Sequence, residues 1–254
     1  MPLISTPAII LSTIRYGDSS KIVRLATREL GVQSVIAKGA LRPRSKFGAA
    51  LQVLSDGQAH LIYSDRKDLH LLTGFDLSRL RVGLTEDLDR YAAASALAEM
   101  MLRFAQPEPQ PELFDLLQAS LEVLDEAPPA SVQAIGLREL WRLVCELGFA
   151  PALDTCVRDG EAIPPEGDLV FSTSEGGALC RACAATVGGA RLGQADRAVL
   201  ESLIAGTDNP PALGDDRSAA AHRRLFVRYL RHHVGGDAEL PALEFWQQRP
   251  WDAR

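Results

Sequence analysis

The feature that most limits what this chain can fold into is a change of hydrophobic period near residue 80. Before it, apolar residues come in short alternating runs. "AIILSTIRY" ends in a Gly-Asp-Ser-Ser turn, "KIVRLAT" follows, and Gly31 turns the chain into "VQSVIAKG". After a basic stretch come "LQVLSDGQAHLIYS", an Asp-Arg-Lys-Asp turn and "LHLLTGFDLS". Alternation with period two, punctuated by Gly and Asp, predicts about five β segments at the spacing of a small barrel. Five strands in roughly 80 residues suit an OB-fold, a partly open barrel. An SH3-like barrel fits the spacing nearly as well.

From about 85 the chain turns rich in Ala, Leu and Glu, and the period becomes helical. "TEDLDRYAAASALAEMMLRF" is predicted to start at Thr85 as N-cap, with acids in its first turn. Pro107, Pro109 and Pro111 break it, and "ELFDLLQASLEVLDEA" follows with a leucine face. "SVQAIGLRELWRLVCELG" is a third helix, ended by Gly148, and two more are expected near 196–206 and 216–234. The architecture expected is α+β and multidomain: a barrel over 1–80, an all-α body over 81–152 and 191–254, and an insert over 153–190. With 46% hydrophobic residues, the chain of 254 can fill such cores. No apolar run reaches membrane-spanning length. "MPLISTPAIIL" has no basic n-region, and four cysteines without a signal point to reduced thiols or a metal rather than disulfides. A cytoplasmic protein is expected.

The formal net charge of −6 conceals an asymmetry. Residues 1–80 hold eleven Lys and Arg against six Asp and Glu, a surplus of five that leaves −11 for the rest. Within "KGALRPRSKFG", Lys38, Arg42, Arg44 and Lys46 have no acid among them. Such a loop can be solvated charge that keeps the protein soluble, or a phosphate-binding surface. Arg15, Lys21, Arg24 and Arg28 on strands of the same module favour the second, and Phe47 offers a possible stacking ring or a core plug. "AAAHRRLFVRYLRHHVGG" places Arg224, Arg228 and Arg231 with His232 on one helical face, opposite an apolar one.

In the insert, Cys180 and Cys183 form a CxxC, and Cys156 lies upstream. A zinc ribbon needs two such knuckles to close a tetrahedron, and here Asp159 stands where the fourth cysteine belongs. The four residues hold a structural zinc, or they are the relic of a ribbon held by packing. Cys145 reads as a small core residue. No Walker, dinucleotide, nucleophile-elbow or HExxH motif is present, so no nucleotide cofactor and no enzyme are expected.

These stretches resemble the bacterial RecO family of recombination mediators. The resemblance rests on "AIILSTIRYGDSSKIVRLATRELG", "AKGALRPRSKFGAALQ", "LRELWRLVCELGFAPALDTC" leading into "GGALCRAC", and "RRLFVRYLRHHVG", which occur in family order over nearly the whole chain. It implies an N-terminal OB-fold, a helical domain and a zinc-ribbon-like insert. It also implies a non-enzymatic, nucleoid-associated protein of RecF-pathway repair. Such a protein binds single- and double-stranded DNA, anneals complementary strands, acts with RecR, recognises the acidic tail of single-stranded-DNA-binding protein and helps RecA load. Asp159 and the acidic balance depart from that pattern. On this reading Arg15, Lys21, Arg24, Lys38, Arg42, Arg44 and Lys46 neutralise phosphates. Either Arg138 and Arg142 around Trp141, or Arg224, Arg228 and Arg231, receive the acidic tail. The rival from another class is a scaffold protein whose barrel and basic loop bind only an acidic protein partner.

Overall fold

The structure is a computed structural model that describes residues 2–64, 66–106, 108–207, 209, 211–235 and 238–252. Asp65, first residue of the predicted turn, and Pro107, first of the predicted breakers, lie outside the described residues, as do Ala253 and Arg254 of the C-terminal stretch. The chain divides into two compact units, residues 1–126 and 127–254.

The first unit opens with a closed five-stranded barrel. β1 (Leu3–Tyr16), β2 (Ser20–Thr27), β3 (Gly31–Ala37), β4 (Asp56–Ile62) and β5 (His70–Arg79) follow the order β1-β2-β3-β5-β4, and β1 also pairs with β4. All pairs are antiparallel except β3 with β5. The predicted alternation holds. Ala8, Ile10, Val23, Leu25, Val35, Ala37, Ala59, Leu61, Leu72 and Phe75 fill the interior. The segment before β4 is shorter than expected, because Leu51 and Leu54 leave the strand and are buried with Phe47. The β3–β4 connection is therefore long and anchored by three apolar side chains.

Helices α1 (Val82–Glu86), α2 (Leu88–Phe104) and α3 (Pro111–Glu126) complete this unit. The expectation that Thr85 caps the long helix is corrected. Asp87, extended in backbone, accepts the Arg90 amide at 2.9 Å, whereas Thr85 donates its hydroxyl to the Val82 carbonyl inside α1. An extended aspartate is the better cap because its side chain reaches a free amide of the first turn. Arg81 ties the barrel to α3. It holds Asp56 through two contacts of 2.5 and 2.6 Å, the Leu54 carbonyl at 2.8 Å and the Gln118 carbonyl at 3.5 Å, and both charges are buried.

The second unit contains α4 (Val132–Glu146), a small sheet, and helices α5 (Arg181–Val187), α6 (Gln194–Ala205), α7 (Asp216–Leu230) and α8 (Pro241–Gln248). Eight α-helices are thus described where about five were expected; the additions are the short α1, α5 and α8. The sheet is β6 (Leu169–Ser172), β7 (Gly177–Leu179) and β8 (Ala190–Leu192), with β6 central. Trp141 is the centre of the helical core, 5.0 Å from the Phe226 ring and 5.2 Å from Tyr229. Phe171 on β6 reaches Tyr229 at 5.9 Å, and a His233 ring nitrogen lies 2.7 Å from the Thr173 carbonyl oxygen, so the insert sheet is tied to α7 and the turn after it. The C-terminal stretch packs through Trp246, 6.0 Å from Phe226. No helix among the described residues is long and apolar enough to cross a membrane.

Candidate nucleic-acid interface and metal centre

Pairing register sorts the predicted phosphate contacts onto two faces. Ser12, Arg24 and Ser34 form one row across β1, β2 and β3, and Ile14, Ile22 and Ile36 form the next. Tyr16 opposite Ser20 continues that face, and so does Lys38, two residues beyond Ile36. Arg15, Lys21 and Ala37 form the intervening row, which points to the other side of the ribbon. Arg24 and Lys38 therefore share a face that Arg15 and Lys21 do not. Arg15 donates to the Gly17 carbonyl at 3.3 Å, and the Arg24 Nε is buried without a hydrogen-bond partner among the described residues. Arg28 is engaged by Asp115, with two contacts of 2.9 Å, and that pairing raises the arginine's pKa and lowers the carboxylate's.

The basic loop is ordered by its backbone. The Leu41 amide donates to the Ser19 carbonyl at 2.9 Å, which pins the loop onto the β1–β2 turn. Gly39 has φ of +72°, a left-handed backbone that favours glycine, and the Arg42 amide donates to its carbonyl at 3.1 Å. Lys38, Arg42, Arg44 and Lys46 are all exposed. None of the four shows an ion pair among the described residues. A cleft of about 390 Å³ lies beside them, lined by Tyr16, Ser19, Ser20, Ile36, Lys38, Gly39 and Arg42.

Phe47 is not a surface ring. It is 2% exposed and fills the barrel core, although Lys46 lies 5.4 Å from its centroid. The exposed aromatic on this face is Tyr16, at 53%, with Ile14 beside it at 61%. Sequence reasoning passed over Tyr16, although its place at a strand end, one residue before the Gly17 turn, is the signal that marks it.

The two tail candidates differ. Arg138 is 3% exposed, donating to Glu139 at 2.7 Å and to the Thr207 carbonyl at 2.9 Å. Arg142 is held by the same Glu139 at 2.9 Å. On α7, Arg224 and Arg228 are exposed, and Arg231 donates to Glu244 at 2.5 Å.

The four insert residues do converge. One potential ligand atom each from Cys156, Asp159, Cys180 and Cys183 lies within 4.8 Å of all the others. Cys156 opens a tight knuckle in which the Gly160 amide returns to the Cys156 carbonyl at 2.9 Å, and Gly160, at φ +75°, makes that return possible. Cys180 caps α5 and accepts the Cys183 amide at 3.5 Å. Asp159 accepts from the thiols of Cys183 (3.1 Å) and Cys180 (3.2 Å). The Cys183 thiol, the Glu161 amide and the other two thiols hold its carboxyl well below the usual range. The same carboxylate, with burial, pushes the Cys183 thiol up to about 12. Zinc–sulfur bonds of about 2.3 Å in a tetrahedron put sulfurs about 3.8 Å apart, so this donor set fits a tetrahedral ion after small shifts. Cys145 is half-buried on α4, away from this group.

Comparison with known proteins places both halves of the chain. Residues 1–81 match the family model described as "Recombination protein O N terminal", and residues 85–241 match "Recombination protein O C terminal". The chain is 34% identical over 244 residues to the DNA repair protein RecO of Anaeromyxobacter dehalogenans strain 2CP-C, covering 92% of this chain and 93% of that one. It is 32% identical over 253 residues to that of Myxococcus xanthus (95% and 96%) and 34% identical over 243 residues to that of Pelobacter propionicus (95% of each).

Proposed function

The chain belongs to the RecO family of DNA repair proteins, and from that premise we propose that it is a non-enzymatic recombination mediator that binds DNA through its barrel and basic loop. The observation that carries this reading is the exposed set Lys38, Arg42, Arg44 and Lys46, without an ion pair among the described residues and pinned beside a cleft on one barrel face. We read the barrel as an OB-fold; the strand order and the parallel β3–β5 pair support that reading. We propose a functional division into a barrel over 1–80, a helical domain over 81–152 and 191–254, and an insert over 153–190, with β8 (Ala190–Leu192) of the insert sheet straddling the last boundary.

Annealing follows from simple electrostatics. Two strands are polyanions that repel, and a cationic surface that screens both lowers the barrier to their encounter. Lys and Arg do this by releasing condensed counterions, with no hydrolysis. About four phosphate contacts on a single strand should give a log–log salt slope near −3, at about −0.7 per contact. Anisotropy titrations of a labelled single strand from low to moderate salt measure it, and a flat response would contradict the reading.

A mediator acting with RecR to load RecA must also engage the coat protein, and an acidic tail needs a cationic site. Exposed Arg224 and Arg228 suit that role better than Arg138, whose guanidinium is committed inside the fold. Residence in the cytoplasm, on the nucleoid, accords with this function.

For the insert we propose a structural zinc held by Cys156, Asp159, Cys180 and Cys183, which crosslinks the two knuckles. Asp159 is a harder donor than thiolate, so Asp159→Cys should tighten zinc and Asp159→Ala should weaken it, each by more than about tenfold. Competition with a chromophoric chelator reads both; equal zinc affinity in all three proteins would remove Asp159 from the ligand set.

A further inference from the structure

We infer that the cleft at Tyr16 is a subsite for an unpaired nucleobase, so that this face takes single-stranded nucleic acid by stacking as well as by charge. The inference rests on the DNA-binding reading above and assigns it a substrate form. Tyr16 ends β1 with more than half of its surface open, on the face it shares with Ile14, Ile22 and Ile36. A solvated phenol ring beside an isoleucine row costs free energy unless something covers it, and a base is flat, apolar on its faces and polar at its edges. Lys38 and Arg42 line the same cleft, where the phosphates flanking a stacked base need cations. Ser19 and Ser20 supply hydroxyls for a base edge. The acid nearest in sequence, Asp18, sits in the β1–β2 turn and does not line the cleft. At about 390 Å³ the space falls within the usual range of small-ligand sites, about 300–1,000 Å³.

The arrangement is preorganised. The Leu41–Ser19 backbone bond fixes the loop against the turn that follows Tyr16, and the Arg42 amide closes a turn onto the Gly39 carbonyl at 3.1 Å. A duplex presents its phosphates and base edges while its base faces are already stacked, so it can use Lys38 and Arg42 but not the Tyr16 ring. The subsite therefore separates single from double strands without reading sequence.

The test titrates wild type, Tyr16→Ala and Tyr16→Phe against three labelled ligands at one salt concentration: a thymidine oligonucleotide, an abasic strand of the same length, and a duplex. Tyr16→Ala should bind the thymidine strand about tenfold more weakly, and Tyr16→Phe should bind it like wild type. Both variants should match wild type within about twofold on the abasic strand and the duplex, where only phosphates are bound. Unchanged affinity of Tyr16→Ala for the thymidine strand, or equal losses on all three ligands, would overturn the stacking subsite and leave the DNA reading standing. Failure of wild type to bind any of the three would overturn both.

Discussion

Replacing Arg81 with leucine should lower the stability of the N-terminal unit by about 3–5 kcal/mol, the cost of breaking a buried ion pair from one side. The Arg81 and Asp56 side chains are 1% and 9% exposed. Their bidentate contact is supplemented by the Leu54 carbonyl and by the Gln118 amide, which reaches Asp56 at 3.3 Å. Without the guanidinium, Asp56 keeps only the Gln118 amide among these partners, and a carboxylate so buried is very unfavourable. The pair also joins the first residue of β4 to α3, so its loss loosens barrel and helices together. Thermal unfolding should show a midpoint lower by about 10 °C or more. The double variant Asp56→Leu, Arg81→Leu should recover much of that, because removing both charges leaves neither stranded. A single variant as stable as wild type, or a double variant worse than the single, would contradict this account of the pair.

Much of the fold could be read from the sequence, and the misreadings have definite causes. The five strands were legible because a barrel of this size buries one face of each strand, and burial of one face imposes alternation. The insert sheet was not legible. Its strands are three or four residues long and lie among glycines, too short for a period to register. Arg138 looked like half of a cationic helix face because Arg142 follows at i+4. The pattern could not show that Glu139, wholly buried between them, makes the pair part of the interior. Phe47 read as either a stacking ring or a core plug because cations surround it in sequence, and its burial selects the plug. In space the loop's charges point outward while Phe47, Leu51 and Leu54 anchor it. The grouping of Cys156, Asp159, Cys180 and Cys183 was legible to the residue, since the four do meet. Tyr16 went unread although it ends a strand one residue before the Gly17 turn; the face it shares with Ile14 follows from the register, and register is a tertiary property.

The central claim is that an acidic chain acts on DNA through one concentrated basic surface. The triple variant Arg42→Glu, Arg44→Glu, Lys46→Glu replaces three exposed cations with anions without touching the buried anchors Phe47, Leu51 and Leu54. The barrel should keep its fold, which far-ultraviolet circular dichroism and the unfolding midpoint verify. The surface field should change sign, and a strand repelled at the loop should lose more than about a hundredfold in affinity at moderate salt. The most direct measurement is the rate at which two complementary oligonucleotides anneal, without any nucleotide, at low and at moderate salt. The account predicts that wild type accelerates annealing, most strongly at low salt, and that the folded triple variant leaves the rate at its protein-free value. Equal acceleration by wild type and variant would contradict it: the loop would then be solvated charge, and the DNA surface would have to be sought on the Arg224–Arg231 face of α7.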